Sequence, residues 1–162
     1  MQLIRGALGR TVNIRPYTAD DWHRVCQIHD AARRDELAAA GLEAAYLTLE
    51  QTAHNEGFLD YAIQVAVVGG TVVGFVAFTN EELAWLYVDP DAYGRGIGTS
   101  LIRATLAETK APMSAEVLDG NAAAIAVYRK AGFEMVGNEQ GRMPGNENFS
   151  VSVTVLRHPG AA

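Results

Sequence analysis

The sequence predicts an α/β fold in which a mixed, mostly antiparallel sheet of about seven strands is flanked by about four helices. Three observations lead to this class. β-branched runs are separated by Gly69-Gly70, an apolar run at 83–88 leads through a glycine-rich turn into an amphipathic helix, and a second strand-helix pair follows Pro112. Because each of these two strands is followed by a helix, we expect them to be parallel neighbours with a ligand crevice at their carboxyl ends.

The N-terminal half predicts strands, helices and a hairpin. Alternating apolar residues indicate the first strand, and aspartates before an amphipathic segment indicate a helix N-cap. Two consecutive glycines between β-branched runs are typical of a tight hairpin turn. In order, we expect a short extension at 1–10, a strand at 12–15, a helix from Asp20 or Asp21 to about Arg34, a helical stretch at 43–54, and strands at 63–68 and 71–79.

The C-terminal half predicts the two strand-helix pairs and the closing strands. The unbroken apolar run at 83–88 suits a strand that is buried on both faces. Apolar residues at helical spacing follow the glycines, and strict alternation marks the last strand. In order, we expect a strand at 83–88, a helix from near Gly96 to about Thr109, a strand at 113–117, a helix from Asn121 to Gly132, a strand beginning at 134–137, a polar loop at 138–147, a strand at 148–156 and a frayed tail at 158–162.

Composition limits the domain organisation and the partners. A chain of 162 residues with 49% hydrophobic content can bury one core, so we expect a single domain over 1–162. The net charge of −6 argues against nucleic acid or an anionic membrane as the main partner and is compatible with a cationic amine. No stretch approaches the roughly 18 apolar residues of a membrane span. The single cysteine, Cys26, excludes an internal disulfide and favours a reducing, cytoplasmic location.

The glycine-rich turn between residues 89 and 101 is the first candidate site. Gly94, Gly96 and Gly98 leave the main chain bare, and the first N–H groups of the following helix can point at an anion. A dinucleotide fingerprint would need a third glycine where Leu101 stands, although Glu116 could act as its ribose acid. A Walker A loop would need a lysine that this segment lacks. The glycines alone leave both an anion site and a plain turn open.

A second segment, 121–133, predicts an alanine-rich helix. Asn121 stands at its N-cap and Gly132 just past its end. Helix propensity and caps account for this element without any role for Tyr128, which could simply pack against Ile125.

Together the two segments resemble the GNAT acetyltransferase superfamily, whose members transfer an acyl group from acetyl-CoA to an amine. The resemblance covers roughly 63–133. The family's pattern Gln/Arg-x-x-Gly-x-Gly/Ala falls on 93–98, with Tyr93 where the family usually places Gln or Arg. The resemblance implies a V-shaped splay between strands 4 and 5, acetyl-CoA as co-substrate and no metal. The four histidines show no ligand spacing of their own.

The resemblance also assigns cofactor contacts and two catalytic steps. Main-chain amides of the glycine turn would bind the CoA diphosphate. An amide near Tyr87 or Val88, freed by a local bulge, would stabilise the oxyanion, and Tyr128 would protonate the departing thiolate. The implied cofactor-binding residues are Leu86, Tyr87, Val88, Tyr93, Gly94, Arg95, Gly96, Ile97, Gly98, Thr99, Asn121, Ala124 and Tyr128.

The acceptor chemistry requires a route for a proton. An alkyl ammonium has a pKa of about 10.4 and attacks only after deprotonation. The family's frequent glutamate base falls by register on Glu82; Glu81 or water alone remain alternatives. Candidate substrate residues are Trp22, His29, Phe58 and Trp85, followed by Arg33, Tyr46, Tyr87 and Met143. Arg33 and Arg34 could also meet an acidic acceptor group.

Two further questions stay open at the level of sequence. The acceptor could be a protein N-terminus, a lysine, a polyamine, an antibiotic or a small metabolite, and the protein could be a monomer or a homodimer. A non-catalytic acyl-CoA sensor or interaction module would keep every glycine but would not need Glu82 or Tyr128. The presence of both residues favours an enzyme.

Overall fold

The computed structural model describes residues 2–5 and 11–160, in which eight strands form two antiparallel sheets. Strands β1 to β5 form one sheet in sequence order, and the second sheet has the order β6-β8-β7. The strands are β1 (Gln2–Arg5), β2 (Thr11–Pro16), β3 (Ala62–Val68), β4 (Thr71–Phe78), β5 (Leu83–Val88), β6 (Met113–Leu118), β7 (Glu134–Met143) and β8 (Asn146–His158). The helices are α1 (Trp22–Ala39), α2 (Leu49–Thr52), α3 (Ile97–Thr109) and α4 (Ala122–Lys130).

The predicted fold class and the predicted splay are confirmed. β5 and β6 run parallel and meet at a single bridge, between Glu82 and Ser114, within the described residues. The Ser114 N–H donates to the carbonyl of Glu81 at 2.9 Å. Beyond this bridge the two strands diverge, so the molecule has two sheets joined at one point. They are the fourth and fifth strands of the sequence prediction, because β1 falls in the predicted extension.

α1 and α3 pack on opposite faces of the larger sheet. Phe75 and Ala77 of β4 point to the α1 side, where Val25 and Ile28 are buried. The intervening Val76 and Phe78 lie in the cluster that contains Leu101 and Ile102 of α3. This alternation buries both faces of most of β4, whereas in β5, for which the apolar run predicted burial on both faces, only Leu83 is buried and 84–88 are half-buried.

The turn and cap predictions agree with the structure. Gly69 and Gly70 both have positive φ, 57° and 79°, as a two-residue hairpin turn requires. Asp21 occupies the N-cap position of α1, and the side-chain oxygen Oδ1 of Asn121 accepts from the N–H of Ala124 at 3.2 Å to cap α4. α1 runs to Ala39, five residues beyond the predicted end.

Two predicted segments were wrong. The helical stretch at 43–54 contains one 3₁₀ turn and the short α2, because the chain is extended between them at Tyr46 and Thr48. The loop predicted at 138–147 is strand for most of its length: β7 continues to Met143, and β8 begins at Asn146. β7 is an exposed edge strand held by backbone pairing to β8, so it needs no apolar alternation.

The predicted chain ends are partly described. The expected extension contains β1, which pairs antiparallel with β2 from Gln2 opposite Ile14 to Arg5 opposite Thr11. Residues 1 and 6–10 lie outside the described part. At the other end β8 continues through His158, and residues 161–162 of the expected tail lie outside the described part.

Candidate active site

The divergence of β5 from β6 opens a cleft of about 1110 Å³. The glycine loop (residues 89–96) lies at one end of this cleft, and parts of α1, β6 and β7 form its other walls. All of the predicted cofactor-binding residues line the cleft except Arg95, which is half-buried in the loop.

The glycine loop leaves several backbone amides free. Gly94 and Gly96 both adopt φ of 77°, and Gly96 is the N-cap of α3. The first intrahelical bond runs from the Ser100 N–H to the Gly96 carbonyl at 3.0 Å, so the amides of the three preceding residues, 97–99, lack intrahelical acceptors. Aligned peptide dipoles add partial positive charge at this end of α3. The arrangement can hold a phosphate through main-chain donors.

The glycine loop and the free amides at 97–99, together called the cradle, are also open to a ligand. A Cβ built on Gly94 or Gly96 would meet no described atom within 4 Å. Glycine is therefore needed at these two positions for the left-handed backbone rather than for close packing. Gly98 differs: its φ is not positive, and a Cβ there would lie 3.4 Å from a methyl group of Val127 in α4.

The outer edge of β5 supplies further free amides. The Asp89 N–H donates to the Val73 carbonyl of β4 at 2.8 Å, and Val88 is opposite Gly74. Because antiparallel strands alternate the direction of their amides, Tyr87 faces β4, while the amides of Leu86 and Val88 face the cleft.

The predicted bulge near Tyr87 or Val88 is wrong in position. The register shift between β4 and β5 comes where Phe78 pairs with Leu83 and Ala77 with Trp85, which leaves Ala84 as the extra residue. Tyr87 pairs regularly with Phe75. The amides that face the cleft are therefore free because β6 has moved away, and a local bulge is not their cause.

Tyr128 reaches the cleft from α4. The residue is 5% exposed, and its ring packs edge-on against Phe133 with centroids 5.2 Å apart. Burial, and secondarily the negative charge of Glu36, raises the pKa of the Tyr128 phenol above its ordinary value. The hydroxyl therefore stays protonated at neutral pH and can donate a proton.

Three carboxylates gather where the two sheets separate. Glu82 lies at the bridge, Glu116 on β6 and Glu139 on β7, and all three side chains are exposed to the cleft or to solvent. Burial raises the pKa of Glu116, and the negative charges of Glu139 and Glu82 raise it further. The sequence pattern indicated Glu82 as base and Glu116 only as a ribose ligand. The signal for Glu116 is a charged residue within the otherwise apolar or small run Met-Ser-Ala-Glu-Val-Leu of β6.

A polar network of α1 forms another wall of the cleft. The Tyr87 hydroxyl donates to Glu36 Oε1 at 3.0 Å, and Arg33 donates to the same oxygen. The other terminal nitrogen of Arg33 lies 3.1 Å from the sulfur of Met143. His29 packs edge-on against Tyr87 with centroids 4.9 Å apart, and burial lowers the pKa of its imidazole. Glu36 was not found from the sequence because an acid on a helix normally indicates a solvated face.

Aromatic residues and a further carboxylate complete the wall opposite β6. Trp85 contacts Tyr61 edge-on with centroids 4.9 Å apart, and both line the cleft. Glu56 also lines it, and burial raises the pKa of its carboxyl group.

The predicted substrate residues divide into two groups. His29, Trp85, Arg33, Tyr87 and Met143 line the cleft. Trp22, Phe58, Tyr46 and Arg34 are not among its lining residues. Phe58 is fully buried in the core between the sheet and α1, and Trp22 packs against that core. Arg34 lies over the Tyr46 ring, 4.6 Å from its centroid.

The described part of the chain contains neither a metal-binding cluster nor a membrane-spanning helix. Across 2–5 and 11–160, no group of three or more His, Cys, Asp or Glu side chains is arranged to hold a metal ion. No helix over the same residues is long and apolar enough to cross a membrane.

Comparison with known proteins identifies a family. Residues 22–133 match the model of the Acetyltransferase (GNAT) family. The chain is 38% identical over 69 residues to peptidyl-lysine N-acetyltransferase YjaB of Salmonella typhimurium, a match that covers 42% of this chain and 46% of that protein. It is 37% identical over 78 residues to N-alpha-acetyltransferase RimI of Mycobacterium tuberculosis, with coverages of 43% and 49%. The matched region thus spans about half the length of these curated relatives.

The fold is also found in solved structures. A GNAT superfamily phosphinothricin acetyltransferase from Sinorhizobium meliloti, solved in complex with acetyl-CoA, superposes with a TM-score of 0.67 at 21% sequence identity. The match covers 93% of this chain and 89% of that one. At this identity the likeness concerns the fold.

Replacing Glu139 with glutamine should lower the pKa of the Glu116 carboxyl group, because one of the two like charges that raise it is removed. NMR titration of the glutamate side chains measures this directly. Glu134→Gln is the matched control, since Glu134 lies on the same strand but outside the cleft lining. An equal effect of both substitutions, or none from Glu139→Gln, would show that the two carboxylates do not interact across the cleft.

Proposed function

This chain belongs to the Acetyltransferase (GNAT) family, and we propose that it transfers the acetyl group of acetyl-CoA to a primary amine by direct attack in a ternary complex. The observation that carries this proposal is the continuity of two sets of free amides: those at 97–99 and those on the outer edge of β5 open into one cleft. A ligand with a diphosphate at one end and an amide-bearing arm matches this arrangement.

The parts of acetyl-CoA match the residues of the cleft in order, from the glycine loop to the splay between β5 and β6. The diphosphate would lie on the glycine loop, where Gly94, Gly96 and the start of α3 offer main-chain donors. The pantetheine arm would run into the splay along Leu86 and Val88. Asn121 and Ala124 at the start of α4 would bound the arm on the β6 side. When bound, acetyl-CoA supplies the thioester.

We assign the general base to Glu116 in preference to Glu82. A base works best when its pKa lies nearer the working pH, and burial together with like charge moves the Glu116 pKa in that direction. Both side chains are exposed, but Glu82 sits at the narrow end of the splay, where the strands still touch, and Glu116 lies two residues beyond the bridge on β6. Glu82 could still pass the proton on to solvent, as water-linked carboxylates do.

The reaction then proceeds with defined roles. The amine loses a proton towards Glu116 and attacks the thioester carbonyl, so that a C–N bond forms. A cleft-facing amide of β5, Val88 or Leu86, donates to the oxyanion. The C–S bond then breaks, the thiolate takes the proton of the Tyr128 hydroxyl, and the second proton released by the attacking nitrogen restores that hydroxyl. The products are an amide and CoA with a free thiol.

The carboxylates support an acceptor that carries additional positive charge. Glu56, Glu82, Glu116 and Glu139 all line the cleft, and so do Trp85 and Tyr61, which contact each other. Aromatic faces and carboxylates both attract ammonium groups. The relatives matched above are a peptidyl-lysine N-acetyltransferase and an N-alpha-acetyltransferase. We therefore propose a peptide or small cationic amine as acceptor. The single cysteine supports our proposal of a cytoplasmic location.

The test of this function is release of the CoA thiol from acetyl-CoA in the presence of a panel of amines. The panel would include lysine peptides, peptides with free N-termini, diamines and neutral monoamines. We expect release with at least one cationic acceptor and a higher kcat/KM than with a neutral amine of equal length. Tight CoA binding with no turnover on any acceptor would instead indicate the non-catalytic sensor.

Gly96→Val should abolish CoA binding while the domain stays folded. The φ of 77° is disfavoured for a β-branched residue, so the substitution forces the N-cap of α3 out of the conformation that presents the free amides. Gly137→Val is the matched control, because its φ is not positive, its Cβ would also meet no described atom within 4 Å, and it lies outside the cleft lining. Calorimetry with CoA measures the difference, and unchanged affinity in Gly96→Val would refute the cradle.

Glu116→Gln should lower kcat by roughly a hundredfold or more at neutral pH, as loss of a general base does. Glu82→Gln should have a much smaller effect, and Tyr128→Phe should lower kcat more than it weakens CoA binding.

In the wild type, activity should fall as the pH drops through the raised pKa of Glu116, since only the carboxylate accepts a proton. A larger loss in Glu82→Gln than in Glu116→Gln would reverse the assignment of the base.

A further inference from the structure

The glycine loop is tied to α1 at its first residue. Arg24 lies in the first turn of α1. Its Nε donates to the Val72 carbonyl of β4 at 2.9 Å, and one of its terminal nitrogens donates to Asp89 Oδ2. Asp89 is the residue at which β5 passes into the loop. Both side chains are partly buried, with 32% of Arg24 and 18% of Asp89 exposed. Partial burial strengthens such a charged pair relative to one in open solvent.

Asp89 carries this contact into the backbone of the loop. Its other oxygen, Oδ1, accepts from the Asp91 N–H at 3.0 Å and caps the 3₁₀ turn Pro90–Ala92. The Ala92 N–H then donates to the Asp89 carbonyl at 2.7 Å. Burial alone would raise the pKa of the Asp89 carboxyl group, but the hydrogen bonds from the Asp91 N–H and from Arg24, with the charge of Arg24, outweigh it and lower that pKa. The carboxylate therefore links a side chain of α1 to the turn that leads to Gly94.

A second contact joins the same loop to the same helix. The Tyr93 hydroxyl donates to Asp35 Oδ2 at 3.2 Å. Asp35 follows Arg24 by 11 residues, which is close to three helical turns, so both side chains lie on one face of α1 about 16 Å apart. Tyr93 is the residue that departs from the family's Gln or Arg, and its polar atom is engaged by the protein.

We propose that Arg24 is a positioning residue that acts through Asp89 to hold the glycine loop in its CoA-binding conformation, with Tyr93 and Asp35 as a weaker second anchor. The inference rests on the proposed function, because it concerns affinity for acetyl-CoA. Neither anchor touches the free amides. Both hold the chain just before the segment that carries Gly94 and Gly96, and α3 begins directly after that segment, so the amides are preorganised before the ligand arrives.

The expected effect is on affinity. If loss of the Arg24 contact leaves the loop in its binding conformation about a tenth of the time, the apparent Kd for CoA rises about tenfold. Arg24→Met, which keeps much of the apolar stem, tests this by calorimetry with CoA. Asp89→Asn should raise Kd as well, and the double substitution should be no worse than the stronger single one, because the pair acts as a unit.

Arg15→Met is the matched control. Arg15 forms a two-pronged pair with Asp21 at 2.8 and 2.9 Å, and its side chain is 34% exposed, close to Arg24. Asp21 directly precedes the same end of α1, so the control reports any general loosening of the start of the helix. We expect a lower melting temperature with unchanged CoA affinity in Arg15→Met. Equal losses of affinity in Arg15→Met and Arg24→Met would overturn the positioning role, and so would unchanged affinity in Arg24→Met.

Hydrogen exchange and Tyr93→Phe distinguish anchoring of the loop from direct contact with the ligand. In the ligand-free protein, Arg24→Met should speed exchange of the Ala92 amide, and Arg15→Met should not. Tyr93→Phe should weaken CoA binding less than Arg24→Met; a larger loss would identify Tyr93 as a cofactor contact and overturn its role as an anchor. If the wild type itself fails to bind CoA, the proposed function falls together with this inference. If it binds and Arg24→Met binds equally well, this inference alone is overturned.

Discussion

The divergence of β5 from β6 is the constraint on which the rest of this molecule depends. Two parallel neighbours would normally satisfy one another's backbone groups along their whole length, but these meet at the bridge between Glu82 and Ser114. Each unpaired amide beyond that point is costly if it stays dry and unmatched. β5 remains in place because β4 pairs with its other edge and because α1 and α3 cover its two faces. The scaffold thus keeps open a set of donors that only a ligand or water can satisfy.

The charge distribution changes sign along the cleft between β5 and β6. At the carboxyl end of β5 the free amides and the dipole of α3 present positive potential, with both loop anchors holding that end to α1. At the other end Glu82, Glu116 and Glu139 accumulate like charge, which raises the pKa of Glu116. A diphosphate and an ammonium therefore prefer opposite ends of one cleft. The thioester of acetyl-CoA would lie between them, beside Tyr128.

Much of this arrangement can be predicted from the sequence, because it is encoded locally. Positive-φ glycines after an apolar strand, an asparagine N-cap and a Gly-Gly hairpin each leave a pattern within a few residues, and all three are found in place. Pairing of β7 with β8 left no such pattern, because an exposed edge strand tolerates any polar sequence. Other features depend on residues that are far apart in the chain and leave no local pattern. These are the contact between Glu36 and Tyr87, the ion pair between Arg24 and Asp89, and the position of Glu116 in the cleft. Phe58 was predicted to contact the acceptor but lies in the core. Aromatic character alone does not distinguish a residue that lines a binding cleft from one that fills the core.

The most direct test of the central claim uses backbone amide NMR. The claim is that the unpaired amides at the origin of α3 bind a diphosphate. Titration with CoA should shift the amide resonances of Gly96 to Thr99 most strongly, together with those of Leu86 and Val88. Pantetheine, which has the arm but no diphosphate, should leave the signals at 96–99 nearly unchanged. Binding of CoA that leaves those four amides unperturbed, or equal shifts with pantetheine, would contradict the claim.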